Sequence, residues 1–215
     1  MSLGIAFGIF AVTFLLGSIP WGVIVSKTIY HTDIREHGSG NIGTTNAMRT
    51  MGKAGGAAVF LLDFSKGLAS GAIAWGCAHM APPDAAILTP ALLGAVAAWG
   101  CVYGHIFSPW LSFKGGKGIA VAIGALFVTF GWIGACIELF AVFALLVILT
   151  RYVSVGSIAA AVACPFVAAV LFWGDWPAIA VYALVGATVV WAHRSNIARL
   201  ASGTESRIGS KKGTA

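Results

Sequence analysis

From residue 119 to residue 149 the chain runs through roughly thirty residues with a single charged side chain, Glu138. A helix that crosses a bilayer needs about 20 apolar residues, because the hydrocarbon core is about 30 Å thick. Lipid offers the backbone no hydrogen-bond partner, so such a run must satisfy its own amides and carbonyls as helix. The run is too long for one comfortable span, and Gly131-Trp132-Ile133-Gly134 offers a turn that divides it in two. The rest of the chain repeats the pattern. Residues 3–25 are uncharged, with Pro20 placed to kink them. Residues 54–80 are apolar but interrupted by Asp63 and Lys66, and residues 85–107 follow the turn Ala81-Pro82-Pro83-Asp84. Residues 155–173 form a further run after Arg151-Tyr152. Residues 178–192 follow Gly174-Asp175-Trp176-Pro177, a turn signal whose tryptophans suit a membrane interface. The expected fold is all-α: a polytopic membrane protein with seven transmembrane helices in one domain over residues 1–205, and a basic, disordered tail over 206–215.

Composition agrees. Charged residues make up 9% of the chain and hydrophobic ones 59%, whereas a soluble domain carries about 25% charged residues. A net charge of +6 then reads as loops facing anionic lipid, not as a nucleic-acid surface. Cys77, Cys101, Cys136 and Cys164 lie scattered in apolar runs without metal-ligand spacing, so they read as small core residues, and no metal or cofactor is expected. No Lys or Arg precedes Lys27, so a secretory signal peptide is not expected.

Charge also orients the chain. With the N-terminus outside and the C-terminus cytoplasmic, seven spans put Arg35, Arg49, Lys53, Lys114, Lys117, Arg151, Arg194, Arg199, Arg207, Lys211 and Lys212 on the cytoplasmic side. The outer turns would hold His79, Asp84 and Asp175, the asymmetry that the positive-inside rule requires. Three polar islands would then face the cytoplasm together.

The middle island, Phe113-Lys114-Gly115-Gly116-Lys117-Gly118, opens onto the apolar helix expected from Ile119. Glycines let backbone amides approach a ligand, lysines supply charge, and a helix N-terminus adds free N–H groups and a positive dipole end. That suits phosphate. An ATPase loop needs Ser or Thr after Gly-Lys, and here Gly118 follows Lys117. The bland reading is a turn whose lysines only orient the spans. The first island, Ser39 to Gly52, alternates hydroxyl and amide side chains with glycine and carries Arg49, which can clamp phosphate with two parallel hydrogen bonds. It reads equally as an ordinary turn.

In the third island His193 and Asn196 stand three apart on one helical face. His193 is either a general base or an interfacial side chain reaching for water. Glu205 is expected to pair with Arg199 or Arg194 as a structural tie. Asp63 and Lys66, three apart in the second span, either neutralise each other or put Lys66 at the phosphate site.

Together the islands resemble the three signature motifs of the bacterial membrane glycerol-3-phosphate acyltransferases that use acyl-phosphate as donor. Ser39-Gly40-Asn41, Gly43, Thr45-Asn46 and Arg49 resemble the first. Gly104-His105, Phe107 and Phe113-Lys114-Gly115-Gly116-Lys117-Gly118 resemble the second. His193-Arg194, Asn196-Ile197, Arg199-Leu200 and Gly203-Thr204-Glu205 resemble the third. The chain departs from the family at Ser108-Pro109-Trp110, where Pro-Val-Phe is common, and at Ile119, where Val is common; these positions bear on acyl-chain preference.

The resemblance implies acyl transfer from acyl-phosphate to the 1-hydroxyl of sn-glycerol 3-phosphate in the bacterial plasma membrane. Neither coenzyme A nor an acyl carrier protein serves as donor, and the enzyme supplying acyl-phosphate is an expected partner. On this reading His193 and Ser39 do the chemistry. Arg49, Lys114, Lys117, Gly115, Gly116, Gly118, Asn41, Thr45, Asn46, Asn196, His105 and Lys66 bind substrate, and Glu205 and Asp63 are structural. Direct transfer ranks above a Ser39 acyl-enzyme, because acyl-phosphate is already activated and no Asp or Glu obviously completes a triad. The alternative from another class is an organic-phosphate transporter; against it, the islands cluster on one face and no repeat relates the two halves.

Overall fold

The computed structural model describes residues 2–80 and 88–209, and among these every regular element is helical. The turn expected at residues 81–84, with its Asp84, and Lys211 and Lys212 of the expected tail lie outside the described residues. Helix α1 (Ser2–Ser18) stops short of Pro20, whose ring cannot continue it, and α2 (Trp21–Thr28) resumes the same span. Helix α3 (Thr44–Met80, 37 residues) is broken at Gly52, where φ is 74°. The part before the break belongs to the first polar island, which is therefore partly helix. Helix α4 (Pro90–Ile106) starts on a Thr89 cap that accepts from Leu92 N at 3.0 Å.

Helix α5 (Ile119–Thr129) follows the lysine–glycine loop. The divide expected near Gly131 is there, with φ 69° at that glycine. Helix α6 (Gly131–Cys136), a π-wound stretch (Ile137–Ala144) and α7 (Leu145–Thr150) together make one apolar segment of 20 residues. Helix α8 (Val153–Leu171) returns, and α9 (Trp176–Ala192) is bent by 53° from the short α10 (Arg194–Ala201).

Among the described residues all seven apolar runs are thus helical, but their lengths differ from expectation. Five helices are long and apolar enough to cross a membrane, and α9 with α10 makes a sixth if the bent pair is one span. The expected fourth span, α5, has 11 residues, about 16 Å at about 1.5 Å per residue.

Helix α4 is the most enclosed span and touches α1, α3, α5 and α9. The contacts are close because small residues let backbones meet. A Cβ on Gly104 would sit 2.0 Å from the Phe14 carbonyl oxygen of α1, and one on Gly67 of α3 would sit 2.2 Å from the Val121 oxygen of α5. Gly104→Val meets backbone, which no rotamer change relieves. It is expected to destabilise the protein by about 1–3 kcal/mol or more, read as a lower unfolding temperature in detergent. Gly76→Ala is the control, since a Cβ there meets nothing within 4 Å.

At one end of the bundle Thr89 donates to Asp175, the cap of α9, fastening the starts of α4 and α9 together. The opposite end carries the ends of α4 and α9 and the start of α5. Glu138 is buried (3% exposed) in the π-wound stretch, and its Oε1 has no hydrogen-bond partner among the described residues.

Candidate active site

The first island folds around one amide. Asn46 (2% exposed) sends Nδ2 to the carbonyls of Ile34, His37 and Asn41 at 3.1, 3.0 and 2.9 Å, while its Oδ1 accepts from Ser39 N at 3.0 Å. Asn41 Oδ1 accepts from Gly43 N at 2.9 Å, closing a local turn. The side chain of Asn46 is therefore spent on the loop itself. What the loop presents is Ser39, Thr45 and Arg49, all exposed. Thr45 and Arg49 stand four apart, on one face of the first turns of α3.

The second island is fastened to the end of α1. Ser108 Oγ donates to Ser18 O at 2.7 Å and Trp110 Nε1 donates to Ser18 Oγ at 2.9 Å. Ser112 and Phe113 take left-handed backbone (φ 51° and 60°), which turns the chain back and leaves Lys114 exposed. Gly115 N donates to Ile106 O at 2.9 Å and Gly116 N to His105 O at 3.0 Å. These amides satisfy the end of α4 and are not free for a ligand. The two glycines are needed for closeness: a Cβ on Gly115 would lie 2.0 Å from His105 O, and one on Gly116 would lie 2.1 Å from His105 Nε2. Gly118 (φ 84°) then swings the chain into α5. The first amides of α5, at Ile119, Ala120 and Val121, have no acceptor within the helix, as at any helix start.

In the third island His193 (3% exposed) sits at the bend between α9 and α10, with Nδ1 2.8 Å from Val189 O. A carbonyl only accepts, so the proton is on Nδ1 and Nε2 carries the free lone pair. Burial, reinforced by the Lys117 charge, lowers the His193 pKa to about 4 against the pull of the Val189 carbonyl and Glu205.

Lys117 Nζ donates to Asn196 Oδ1. Asn196 Nδ2 donates to Glu205 Oε1 at 2.7 Å, and Arg199 Nε donates to Glu205 Oε2 at 2.6 Å. Burial would raise the Glu205 pKa, but hydrogen bonds from Asn196 and Arg199 and the Arg199 charge outweigh it and keep the carboxylate ionised. For Lys117, burial first and then the nearby Arg199 and Arg49 charges pull the ammonium down to about 8, with Glu205 opposing.

The second and third islands are thus joined through hydrogen bonds running Lys117–Asn196–Glu205–Arg199, while His193 and, from the first island, Arg49 are coupled to Lys117 and its neighbours only through charge. Of the two partners open to Glu205, Arg199 is the one it takes. Ser39 makes no hydrogen bond to His193. Lys66 stays away from the Lys117 group and lies buried with Asp63 and His105. Sequence reasoning missed Ser154, buried at the start of α8 within the electrostatic reach of Glu205; a lone serine next to Arg151-Tyr152 carries no signal. It also missed the Ile19 carbonyl, which accepts from Lys66 Nζ at 2.9 Å. Pro20 was the available clue, since a proline break frees carbonyls within a span.

The fold defines a polytopic membrane protein with a basic, carboxylate-braced cluster at one end of the bundle. Residues 7–203 match the glycerol-3-phosphate acyltransferase family, and the chain belongs to it. A glycerol-3-phosphate acyltransferase of Rhodopseudomonas palustris (strain HaA2) is 42% identical over 99% of this chain and 100% of its own. One from Thermosynechococcus vestitus is 37% identical over the same shares. Among solved structures, PlsY (YgiH), an integral membrane glycerol 3-phosphate acyltransferase, is similar in its glycerol 3-phosphate form. The TM-score is 0.82 at 32% identity, over 95% of this chain and 96% of that one. Its lysophosphatidic acid form gives 0.79 at 31% identity, over 95% of each chain.

Proposed function

We propose that the protein transfers a fatty acyl group from acyl-phosphate to the 1-hydroxyl of sn-glycerol 3-phosphate, releasing lysophosphatidate and inorganic phosphate. The carrying observation is the bonded chain Lys117–Asn196–Glu205–Arg199, with the Arg49 charge in reach of Lys117 and a histidine at the same end whose Nε2 is a free base. Both substrates bear phosphate, and this is a cluster of cations braced by one carboxylate. The glycerol oxygen attacks the acyl carbonyl carbon while its proton passes to His193 Nε2. The bond from that carbon to the phosphate oxygen breaks, and phosphate leaves with both electrons of the bond. Negative charge grows first on the carbonyl oxygen and then on the departing phosphate. Lys117, Arg49 and the α5 amides are fixed donors for it. The exposed Ser39 and Thr45 hydroxyls and Lys114 complete the polar wall, with Asn196 holding Lys117 in place. Transfer is direct, because Ser39 has no base within hydrogen-bond reach.

The cytoplasmic side is the reading for this end of the bundle, since Arg49, Lys114, Lys117, Arg151, Arg194 and Arg199 lie there and Asp175 lies at the other. Acyl-phosphate would arrive from its supplying enzyme at the bacterial plasma membrane, with its chain in lipid and its phosphate in the cluster.

Purified protein in lipid nanodiscs is expected to release phosphate from palmitoyl-phosphate only when glycerol 3-phosphate is present. A hydroxylamine-sensitive adduct on Ser39 formed with donor alone would overturn direct transfer. Uptake of glycerol 3-phosphate into proteoliposomes without any phosphate release would overturn the reaction itself.

A further inference from the structure

Past α10 the chain is held at two places. Gly203 (φ 69°) turns it, and the amides of Thr204 and Glu205 both donate to Arg199 O, at 2.8 and 3.1 Å. It then crosses to the corner between α7 and α8. Ile208 N donates to Arg151 O at 2.8 Å, and Arg207 Nε donates to the Tyr152 hydroxyl at 2.8 Å. The Arg207 guanidinium also lies 5.0 Å from the centre of the Tyr152 ring. Arg151 ends α7 in left-handed backbone (φ 63°). This corner lies outside all three polar islands.

Between the two holds stands Glu205. Its carboxylate accepts from Asn196, and Asn196 accepts from Lys117. A segment that leaves a helix with few bonds frays unless something ties it down. The bonds to Arg199 fix Glu205 relative to α10 alone, because Arg199 belongs to that helix. The bonds from Arg207 and Ile208 fix it relative to α8 as well. Ser154, in the first turn of α8, is buried within electrostatic reach of the same carboxylate. Covering the Tyr152 ring would need only the guanidinium; it does not need a backbone bond from the next residue.

We infer that Tyr152 and Arg207 are positioning residues: with the Ile208–Arg151 backbone bond they clasp the segment past α10 to the α7–α8 corner, and so hold Glu205 where it steadies Asn196 and the Lys117 ammonium. They act through Glu205 and not on the substrates. The use made of the clasp rests on the acyl-transfer reading above, in which Lys117 is a fixed donor. Beyond its own burial, Lys117 feels the charges of Arg199, Glu205 and Arg49, and His193 stands near enough to feel Lys117. Among these groups Glu205 is the anion, so loosening it favours the uncharged amine.

Lysine-selective 15N NMR of the full-length protein in nanodiscs tests the clasp without turnover. The Lys117 signal, assigned by its loss in Lys117→Met, is followed through its titration near 8. Tyr152→Phe keeps the ring and removes the hydroxyl, and Ile208→Pro removes the N–H. Each is expected to lower the titration by about half a pH unit, a fraction of what a close opposite charge is worth. Arg207→Gln is expected to lower it too, although loss of a cation alone would raise it. Glu205→Gln is expected to lower it further, and to abolish any effect of Tyr152→Phe or Ile208→Pro added to it. An unmoved titration in the two clasp variants, or an effect that persists beside Glu205→Gln, would overturn the proposal. Phosphate release supplies the second arm. Both clasp variants are expected to lose about threefold at about pH 9, the same half unit read as a rate, and almost nothing at about pH 6.5, where Lys117 is charged in every variant. Equal losses at the two pH values would overturn it. Absence of acyl transfer in the wild type would fail the functional reading alone and leave the NMR result to decide.

Discussion

His193→Gln is expected to lower kcat by about two to four orders of magnitude, the usual contribution of a positioned general base, with KM for either substrate nearly unchanged. The reason lies in the proton inventory. Val189 O holds the Nδ1 proton, so Nε2 is the only site on this ring that can receive another. Glutamine keeps polarity and approximate size but has no basic nitrogen. Stopped-time assays of phosphate release with saturating acceptor give the comparison. A variant within threefold of wild type would remove His193 from the chemistry and pass the proton to a substrate phosphate. The wild-type acid limb is expected near pH 4, where protonation of Nε2 takes the base away.

Lys117→Met is expected to lower kcat/KM by about a hundredfold to a thousandfold, the cost of removing one preorganised donor from a developing oxyanion. The substitution also frees Asn196 from its ammonium partner while leaving Glu205 paired with Arg199, so the fold of the third island should survive. Lys117 sets the alkaline limb. Its ammonium titrates near 8, so activity that needs the charge is full below that pH and falls as pH rises through it. Lys117→Arg stays charged throughout and is expected to push the limb upward, though with reduced rate because a planar fork replaces a compact ammonium. A pH–rate profile whose alkaline limb is the same in wild type and Lys117→Arg would assign that limb to another group.

The architecture was legible wherever it depended on runs and breaks. Uninterrupted apolar stretches, Pro20 and Gly131 mark spans and their divisions because lipid permits only helix and because those residues interrupt it. The second and third motifs also come together at one end of the bundle, as their polar residues suggested. Roles that depend on hydrogen-bond accounting were not legible. Asn46 looks like a ligand-binding amide in the sequence, yet its donors and acceptor are taken up by Ile34, His37, Asn41 and Ser39, a fact that exists only once the loop closes. Gly115 and Gly116 look like amide donors for phosphate, yet their N–H groups cap α4. The Asp63–Lys66 pair could be read from its spacing; His105, 39 residues beyond Lys66, could not be joined to it without knowing how α3 meets α4. Glu138, the single charge in its apolar run, stays buried, with no partner for Oε1 among the described residues.

Helix α5, entered from the lysine–glycine loop, is much shorter than the spans around it. Helices α4 and α9 have 17 residues each and α5 has 11, against 37 in α3. A bilayer that fits the outer helices finds too little apolar length beside α5, and a mismatch of that kind is relieved by thinning the lipid locally. A leaflet thinned there would bring the aqueous face down toward the Lys117 cluster. On the proposed reaction, a water-soluble acceptor and a lipid-borne donor would meet there without either leaving its own phase.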